Sequence, residues 1–341
     1  MGLMTALRLN MTNIDDPSAD HTERYQAALD MAEYADERGF TGVSCEEHHL
    51  ASTGWLPSPL VMAAALAART RTIRISINAL LVPLYDPLRL AEDVAVLDNL
   101  SAGRFSFVAG MGYRPEEYHA VSRDWSRRGQ LMDECLTVML KAWADEPFSY
   151  NGELVNVTPK PRTRPHPFFF IGGMSAAAAK RAARFGLPFS PPTAMPAVEA
   201  VYTEELKRLG AVGFIYRPDN GSTVTLLHHD PDAAWKTYGP FIMNEAAEYS
   251  AWKHPKVPRP NETAATSVEH LRSLNTVEIL TPDQLVDKIS GGRREVVINP
   301  LVGGLPLEEG WASLHLLADE VVPRVKGRDN SRSTSAIDGH R

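Results

Sequence analysis

The chain has 341 residues, of which 44% are hydrophobic and 23% are charged, and its net charge is −7 at pH 7. This composition is typical of a soluble globular protein, and the negative charge argues against a nucleic-acid partner, which usually needs a basic surface. No apolar run is long enough to cross a bilayer, and the first residues lack the pattern of a secretion signal. The only cysteines, Cys45 and Cys135, cannot form a disulfide framework and fit a reducing compartment. We therefore expect a cytoplasmic protein that binds neither nucleic acid nor membrane.

Short β-branched or aromatic runs alternate with helical patterns along the chain. The predicted strands are residues 6–11, 41–45, 72–81, 105–109, 168–171, 187–190, 222–228 and 295–298. Such alternation favours a parallel sheet, and eight strands that each feed a helix predict an α/β fold of the (β/α)8 TIM-barrel type over residues 1–326. An open, doubly wound sheet is the competing architecture. The polar, aperiodic residues 327–341 predict a disordered C-terminal tail.

One segment breaks this alternation. The stretch Tyr150-Asn151-Gly152-Glu153 lies between the fourth and fifth predicted strands, and its Asn-Gly pair is a strong signal for a tight hairpin turn. We therefore expect a small hairpin insertion between strands four and five of the barrel.

The stretch Gly172-Gly173-Met174-Ser175 joins an apolar strand to an alanine-rich helix. Two glycines let the backbone approach a ligand closely, and Ser175 can cap the new helix. Free backbone N–H groups and the helix dipole at such a junction favour an anion, phosphate above all. The same residues also fit a tight strand-to-helix turn without a ligand, and these four residues alone do not distinguish the two interpretations.

A cluster of ionisable residues, Glu46-Glu47-His48-His49, follows the second strand, at the end where barrel active sites form. It could transfer protons, ligate a metal together with His228-His229-Asp230 after strand seven, or be a solvated loop. Adjacent histidines point in different directions, and there is no His-x-His pair, so proton transfer is the favoured interpretation.

The order and spacing of several motifs resemble bacterial luciferase α subunits and their flavin-dependent monooxygenase relatives. The resemblance covers residues from about 5 to 325 and is densest before Pro188. The matching segments are Glu47-His48-His49, Leu80 to Pro83, Ala91-Glu92-Asp93-Val94 with Leu97-Asp98, Gly103-Arg104-Phe105, Leu131-Met132-Asp133 and Gly186-Leu187-Pro188.

The resemblance implies a TIM barrel that uses reduced FMN and oxygen, or in some branches the deazaflavin coenzyme F-420, to act on small organic substrates. His48 falls on the family's acid/base histidine, and Asn78-Ala79 falls on a non-prolyl cis peptide beneath the flavin ring. Gly172, Gly173, Met174 and Ser175 fall on the flavin phosphate loop. Arg128 or its neighbour Arg127 falls near the phosphate-binding arginine.

Three positions depart from the luciferases. Gly110 replaces their reactive cysteine, Met111 replaces a phosphate-binding arginine, and Met174 replaces an acidic residue of the phosphate loop. These losses argue against light emission from a long-chain aldehyde. Gly110 and Met111 nevertheless stay in the predicted flavin site, because a glycine-rich version of this loop occurs in the wider family.

We expect an FMN-dependent monooxygenase supplied with reduced flavin by a separate reductase. A deazaflavin-dependent dehydrogenase or reductase is the alternative within the family, and a metal-dependent barrel hydrolase is the alternative outside it. A third possibility is a flavin-binding partner chain without catalysis, against which the presence of His48 counts. We also expect a homodimer formed through residues 88–100, since luciferase-like barrels pair through helices near the start of the chain. The sequence does not identify the substrate.

Overall fold

A computed structural model describes residues 3–14, 21–217, 224–252 and 265–325 of the chain. The predicted tail, residues 327–341, lies outside this described part. The first elements in chain order are β1 (Met4–Leu9), α1 (His21–Glu37), β2 (Gly42–Cys45), α2 (Pro59–Arg69), β3 (Arg74–Leu80), α3 (Pro87–Leu100), β4 (Phe105–Ala109), α4 (Pro115–Ala120) and α5 (Arg128–Trp143). They are followed by β5 (Phe148–Tyr150), β6 (Glu153–Val155), β7 (Phe168–Gly172), α6 (Ala176–Arg184), β8 (Phe189–Ser190) and α7 (Pro196–Leu209). The last are β9 (Val224–Leu227), α8 (Pro231–Ala251), α9 (Val268–Ser273), β10 (Val277–Leu280), α10 (Pro282–Ser290), β11 (Glu295–Ile298) and α11 (Leu307–His315).

The chain divides into two compact units. The first unit comprises Met1–Gly42, Gly221–Ser250 and Thr263–Arg341, and the second comprises Val43–Asn220 and Ala251–Glu262. In the first unit β1 pairs in parallel with β11, and β9 pairs in parallel with β10. The buried Arg24 of α1 donates to the carbonyl oxygens of Thr12, Leu301 and Leu305, which holds together the loops after β1 and β11.

The second unit contains a sheet with the strand order β2-β3-β4-β7-β8. The pairs β3–β4, β4–β7 and β7–β8 are parallel, so the carboxyl ends of these strands lie at one edge. Aromatic side chains pack against one another in the core beside this sheet. Phe107 and Phe169 stack with centroids 4.7 Å apart, and the indole of Trp143 packs edge-on against Phe169. This core fixes the strands whose ends carry the candidate site.

Several sequence predictions are confirmed at the level of single elements. The strands at Phe105–Ala109 and Glu295–Ile298 have the predicted bounds, and β5 and β6 form the predicted antiparallel hairpin between β4 and β7. Asp86 caps α3 by accepting from the backbone N–H groups of Leu88 and Arg89, both at 3.0 Å.

Other predictions need correction. The first strand begins and ends two residues earlier than the predicted 6–11, and the strand predicted at 187–190 is reduced to Phe189–Ser190. β10 was not predicted at all. The described residues therefore form an α/β fold built on parallel strands, whereas closure into a single eight-stranded barrel with one domain over 1–326 stays a prediction. No helix in the described part has the length and apolar character needed to cross a membrane.

Candidate active site

The loop after β2 is held in place by the carboxylate of Glu47, which is 1% exposed. Its oxygens accept from the backbone N–H of Leu81 at 2.6 Å, from the hydroxyl of Tyr85 at 2.6 Å, and from Nε2 of His49 at 3.0 Å. The hydrogen bond to Glu47 raises the pKa of His49, and burial together with Glu47 raises the pKa of Tyr85. Because Leu81 directly follows β3, Glu47 fixes the carboxyl ends of β2 and β3 side by side.

The acid/base candidate, His48, lies in this loop with 8% of its surface exposed. Its Nδ1 lies 3.4 Å from Oε1 of Glu117 in α4, a carboxylate that is 1% exposed. The same oxygen accepts from the backbone N–H of His49 at 3.0 Å and lies 3.4 Å from Nη1 of Arg114. A carboxylate only accepts, so in this contact Nδ1 of His48 is the donor.

Sequence reasoning did not identify Glu117. It is 69 residues from His48 and sits in a short helix that carries two adjacent glutamates, so no local pattern separates it from a surface residue. His49 serves the structure of the loop: its ring contacts Glu47, its N–H contacts Glu117, and its carbonyl accepts from Nη1 of Arg114 at 2.5 Å.

Three aromatic side chains surround the His48 ring, and we call them the aromatic enclosure. The ring centroids of Trp252, Trp55 and Tyr113 lie 4.7, 5.0 and 5.7 Å from that of His48. Trp55 and Trp252 also contact each other at 5.1 Å, and the guanidinium carbon of Arg114 lies 4.2 Å from the Trp252 centroid. These residues come from three separate segments, so the enclosure could not be read from any one motif.

The predicted cis peptide bond is present between Asn78 and Ala79, near the end of β3. Gly110, directly after β4, packs against it: a Cβ at this position would lie 2.7 Å from the Cβ of Ala79. The Gly110 N–H also donates to the Leu80 carbonyl at 2.8 Å. Only glycine fits this close approach, which gives Gly110 a steric role beside the cis peptide. The next residue, Met111, is half-buried, and its carbonyl accepts from the Tyr118 hydroxyl at 2.5 Å.

The glycine turn after β7, which is the predicted anion cradle, is closely packed and leads into a capped helix. A Cβ on Gly172 would lie 2.6 Å from a methyl group of Val108, and a Cβ on Gly173, which has φ +146°, would lie 2.6 Å from that of Ala178. Ser175 caps α6 by accepting from the Ala178 N–H at 3.3 Å. Met174 is half-buried and Ser175 is exposed, so the helix N-terminus opens to solvent rather than into the core. A helix end of this kind offers backbone N–H groups to a phosphate.

The two candidate arginines at the start of α5 differ in their surroundings. Arg128 is half-buried, stacks over Trp125 at 4.2 Å and donates to the Trp125 carbonyl, whereas Arg127 is exposed and bonds to Gln130. The first turn of α5 is tied to α6 because Arg181 pairs with Asp133 at 2.6 Å and donates to the Gly129 carbonyl. Arg128 therefore lies at the end of α5 that contacts α6, and its described hydrogen bond is to Trp125 rather than to the cradle.

The described residues contain no group of three or more His, Cys, Asp or Glu side chains that could hold a metal ion. His228 bonds within its own turn through the backbone of Asp230, and His229 lies 3.7 Å from Glu320. Burial raises the pKa of the thiols of Cys45 and Cys135 to about 12, so neither is a reactive thiolate. The hydrolase alternative has no ligand set in this part of the chain.

The sequence matches a known family. The sequence model of luciferase-like monooxygenases matches residues 8–299. Among curated relatives, the chain is 28% identical over 177 residues to the alkanal monooxygenase alpha chain of the Kryptophanaron alfredi symbiont, which is 50% of each chain. It is 24% identical over 173 residues to the oxygenase component of the flavin-dependent trigonelline monooxygenase of Acinetobacter baylyi, covering 49% of this chain and 48% of that one. The chain spans about half the length of the curated relatives it matches.

Solved structures share the fold over nearly the whole chain. The monooxygenase RslO1 from Streptomyces bottropensis superposes with a TM-score of 0.73 and 24% identity, covering 94% of this chain and 99% of that one. The oxygenating constituent of 3,6-diketocamphane monooxygenase from Pseudomonas putida, a complex with FMN, has a TM-score of 0.66 and 18% identity, covering 95% and 99%. At these identities the likeness concerns the fold.

Proposed function

The chain belongs to the luciferase-like monooxygenase family, and we propose that it is an FMN-dependent monooxygenase acting on a small organic substrate. The observation that carries the proposal is the loop of β2, where buried carboxylates hold His48 in one orientation beside the ends of β3 and β4. Carboxyl ends of parallel strands are where α/β folds bind ligands. The named relatives and the FMN complex of the Pseudomonas putida protein support the choice of cofactor.

The residues present fit a flavin mononucleotide. The glycine cradle from Gly172 to Ser175 and the N-terminus of α6 would bind the phosphate, and Arg128 would supply a positive charge nearby. Gly110, whose missing Cβ permits its close packing against Ala79, and Met111 would lie beside the flavin ring, together with Asn78 and Ala79. At Gly110 and Gly173 a Cβ would lie 2.7 and 2.6 Å from a neighbouring Cβ, so a larger residue at either position would have to displace the backbone or its neighbour.

Reduced flavin would supply two electrons, so that one atom of molecular oxygen enters the substrate and the other leaves as water. The chain's own contribution is to position and protect. His48 would hold or give a proton at Nε2, and Glu117 would fix the tautomer and balance positive charge on the ring. The aromatic enclosure would keep bulk water away from this nitrogen.

Several broader features belong to the same proposal. We take residues 1–326 as one luciferase-like domain whose parallel strands close into a (β/α)8 barrel. The partners would be oxygen, a small-molecule substrate and a flavin reductase, and the setting would be the cytoplasm, which suits two free, buried cysteines. A homodimer would use α3, where Val96 and Leu100 are 51% and 49% exposed. A molecular mass near the monomer value of 37.6 kDa, measured by light scattering at micromolar protein, would contradict the dimer.

Isotopically labelled oxygen tests the reaction. The protein, a flavin reductase, FMN and a panel of small organic molecules are incubated with labelled oxygen gas, and products are examined by mass spectrometry. The proposal expects one labelled atom in the product, made only when FMN and the protein are both present. Oxidation of a substrate by deazaflavin F-420 without oxygen uptake would instead establish the dehydrogenase alternative.

A further inference from the structure

The two faces of strand β3 differ in their exposure. Ile75 and Ile77 are completely buried, whereas Ser76 is half-buried and Asn78 is exposed. Successive side chains of a strand point to opposite faces of the sheet, so Ser76 and Asn78 share one face. We call the face that carries Ser76, Asn78 and, on β4, Ser106 the open face.

The open face lies on the side of the sheet away from helix α5. Ser106 pairs with Ser76 in the parallel register and is also half-buried. On the other face, Phe107 pairs with Phe169, against which the indole of Trp143 in α5 packs. In a (β/α)8 barrel the helices lie outside, and the inward side chains are mostly Val, Ile and Leu. Under the proposed barrel closure the open face would point inward, and its serines would fill less of the interior than those residues do.

Asn78 has hydrogen-bonding capacity that its own contact does not use. Its Nδ2 donates to the Ser76 hydroxyl at 3.1 Å, and among the described residues this is the only hydrogen bond of the Asn78 side chain. A primary amide has two N–H donors and one oxygen acceptor. One N–H and Oδ1 therefore remain for a bound molecule, and the contact with Ser76 holds the amide in place.

Asn78 also lies at the edge of the sheet where the flavin site is proposed. The next residue, Ala79, packs against the residue after β4, because a Cβ on Gly110 would lie 2.7 Å from the Ala79 Cβ. The carboxyl ends of β3 and β4 thus meet beside Asn78. Glu46, directly after the neighbouring β2, is half-buried and is a second polar residue at this edge.

Resting on the proposed function, which puts the flavin ring beside Asn78 and Ala79, we propose that the Asn78 amide binds the pyrimidine edge of the flavin. Its Oδ1 accepts from the flavin N3–H, its remaining N–H donates to an adjacent carbonyl oxygen, and Ser76 orients the amide. The edge alternates carbonyl, N3–H and carbonyl, so the acceptor and donor of one amide match two neighbouring groups. Asparagine binds two adjacent groups of adenine in the same bidentate way.

FMN and its N3-methyl derivative separate this contact from the rest of the flavin. The full-length protein is titrated anaerobically with reduced FMN and with reduced 3-methyl-FMN, and binding is followed by flavin absorbance. The methyl group removes the N3–H donor and leaves the phosphate in place. We expect FMN to bind about tenfold more tightly, because a bidentate pair of this kind discriminates by about that factor.

Variants of the open face locate the contact. Asn78→Leu has nearly the same size without hydrogen-bonding atoms, so it should bind FMN about tenfold more weakly and lose the preference over 3-methyl-FMN. Asn78→Asp keeps an acceptor for N3–H and should keep the preference. Gln26→Leu, which removes an exposed amide from α1, should leave both affinities unchanged. If Asn78→Leu does not fold, Ser76→Ala removes the orienting hydroxyl and should reduce the preference.

The inference is overturned if the wild-type protein binds FMN and 3-methyl-FMN equally well, or if the preference survives Asn78→Leu and Ser76→Ala. A preference that is lost in Glu46→Gln but kept in Asn78→Leu would assign the N3–H contact to Glu46 instead. In each of these cases FMN still binds, so the contact alone is refuted.

Failure of the proposed function gives a different result. Binding of neither flavin up to millimolar concentration would refute the proposed function together with the inference that rests on it. Binding of reduced F-420 in place of FMN, weakened by Asn78→Leu, would change the cofactor and leave the contact standing, because a deazaflavin has the same pyrimidine edge.

Discussion

Nδ1 of His48 lies 3.4 Å from Oε1 of Glu117, a buried carboxylate contributed by α4. The same oxygen accepts from the backbone N–H of His49, so one carboxylate fixes both the ring and the main chain of the loop. A side chain held in this way needs little rearrangement to transfer a proton. The orientation of His48 thus depends on a residue far away in the sequence.

Glu117→Gln tests this dependence. The amide keeps the shape of the carboxylate but removes the negative charge that would balance a protonated imidazole. We expect turnover on an identified substrate to fall about tenfold or more, because positioned acid/base groups contribute about 100- to 10,000-fold, while FMN affinity stays nearly constant. The control is Glu116→Gln, the exposed neighbour on the same helix. Equal turnover in the two variants would remove Glu117 from the mechanism.

His48→Ala and His49→Ala separate chemistry from loop structure. Loss of the acid/base group should lower turnover by at least about 100-fold with little change in flavin affinity. His49→Ala should act mainly on the free energy of unfolding, because that side chain bonds to the buried Glu47. Turnover, FMN affinity and denaturant unfolding are measured for both. Small, similar losses of turnover in the two variants would mean that His48 has only a structural role in the loop. A large loss of FMN affinity in His48→Ala would mean that His48 positions the flavin ring.

The stability of the loop should depend on pH through His49. Its pKa is raised above the ordinary value of 6.5, first by the hydrogen bond to Glu47 and further by the charges of Glu47 and Glu117, against opposing burial and the charge of Arg114. A raised pKa means that the folded state binds the proton more tightly than the unfolded chain. The stabilisation of the folded state by protonated His49 is therefore complete below pH 6.5. It is lost as pH rises through the folded-state pKa of His49.

The measurement is the free energy of unfolding in urea at a series of pH values from acid to mildly alkaline. The wild-type protein should lose stability over the interval above the unfolded pKa of His49, relative to His49→Gln, in which this contribution is absent. The difference between the two curves isolates His49 from other titrating groups. Parallel curves throughout the interval would show that the contact with Glu47 does not favour the charged ring.

Local signals predicted much of the fold but only part of the site. Phe105–Ala109 and Gly172 to Ser175 were predicted because β-branched, aromatic and glycine residues determine the backbone locally. β10 was not predicted because Val277-Glu278-Ile279-Leu280 is short and contains a charged residue. In the fold, Lys288 and Arg293 pair with Glu278 and compensate its charge. Glu117 and Trp252 are far from His48 in the sequence and contact it only in the folded chain. No local sequence pattern therefore identifies them as site residues.

The proposed phosphate site at Gly172 to Ser175 can be tested by adding one methyl group. Gly173→Ala introduces a Cβ that would lie 2.6 Å from the Ala178 Cβ, at a φ of +146° that side chains rarely adopt. We expect FMN affinity to fall about tenfold or more, since charge-assisted hydrogen bonds contribute roughly 1.5–3 kcal/mol each. Riboflavin, which lacks the phosphate, should bind with little change. Gly152→Ala is the control, because that hairpin glycine also has positive φ (+84°) but no neighbour within 4 Å. Equal losses of affinity for FMN and for riboflavin would indicate that the turn shapes the flavin site without contacting the phosphate.

An anaerobic titration tests whether this chain binds reduced FMN. The full-length protein is titrated with reduced FMN and, in parallel, with reduced coenzyme F-420, and binding is followed by the change in flavin absorbance and fluorescence. We expect saturable binding of one reduced FMN per chain, weakened by Gly173→Ala and preserved in Glu117→Gln. Absence of FMN binding up to millimolar flavin, or saturable binding of F-420 alone, would contradict it.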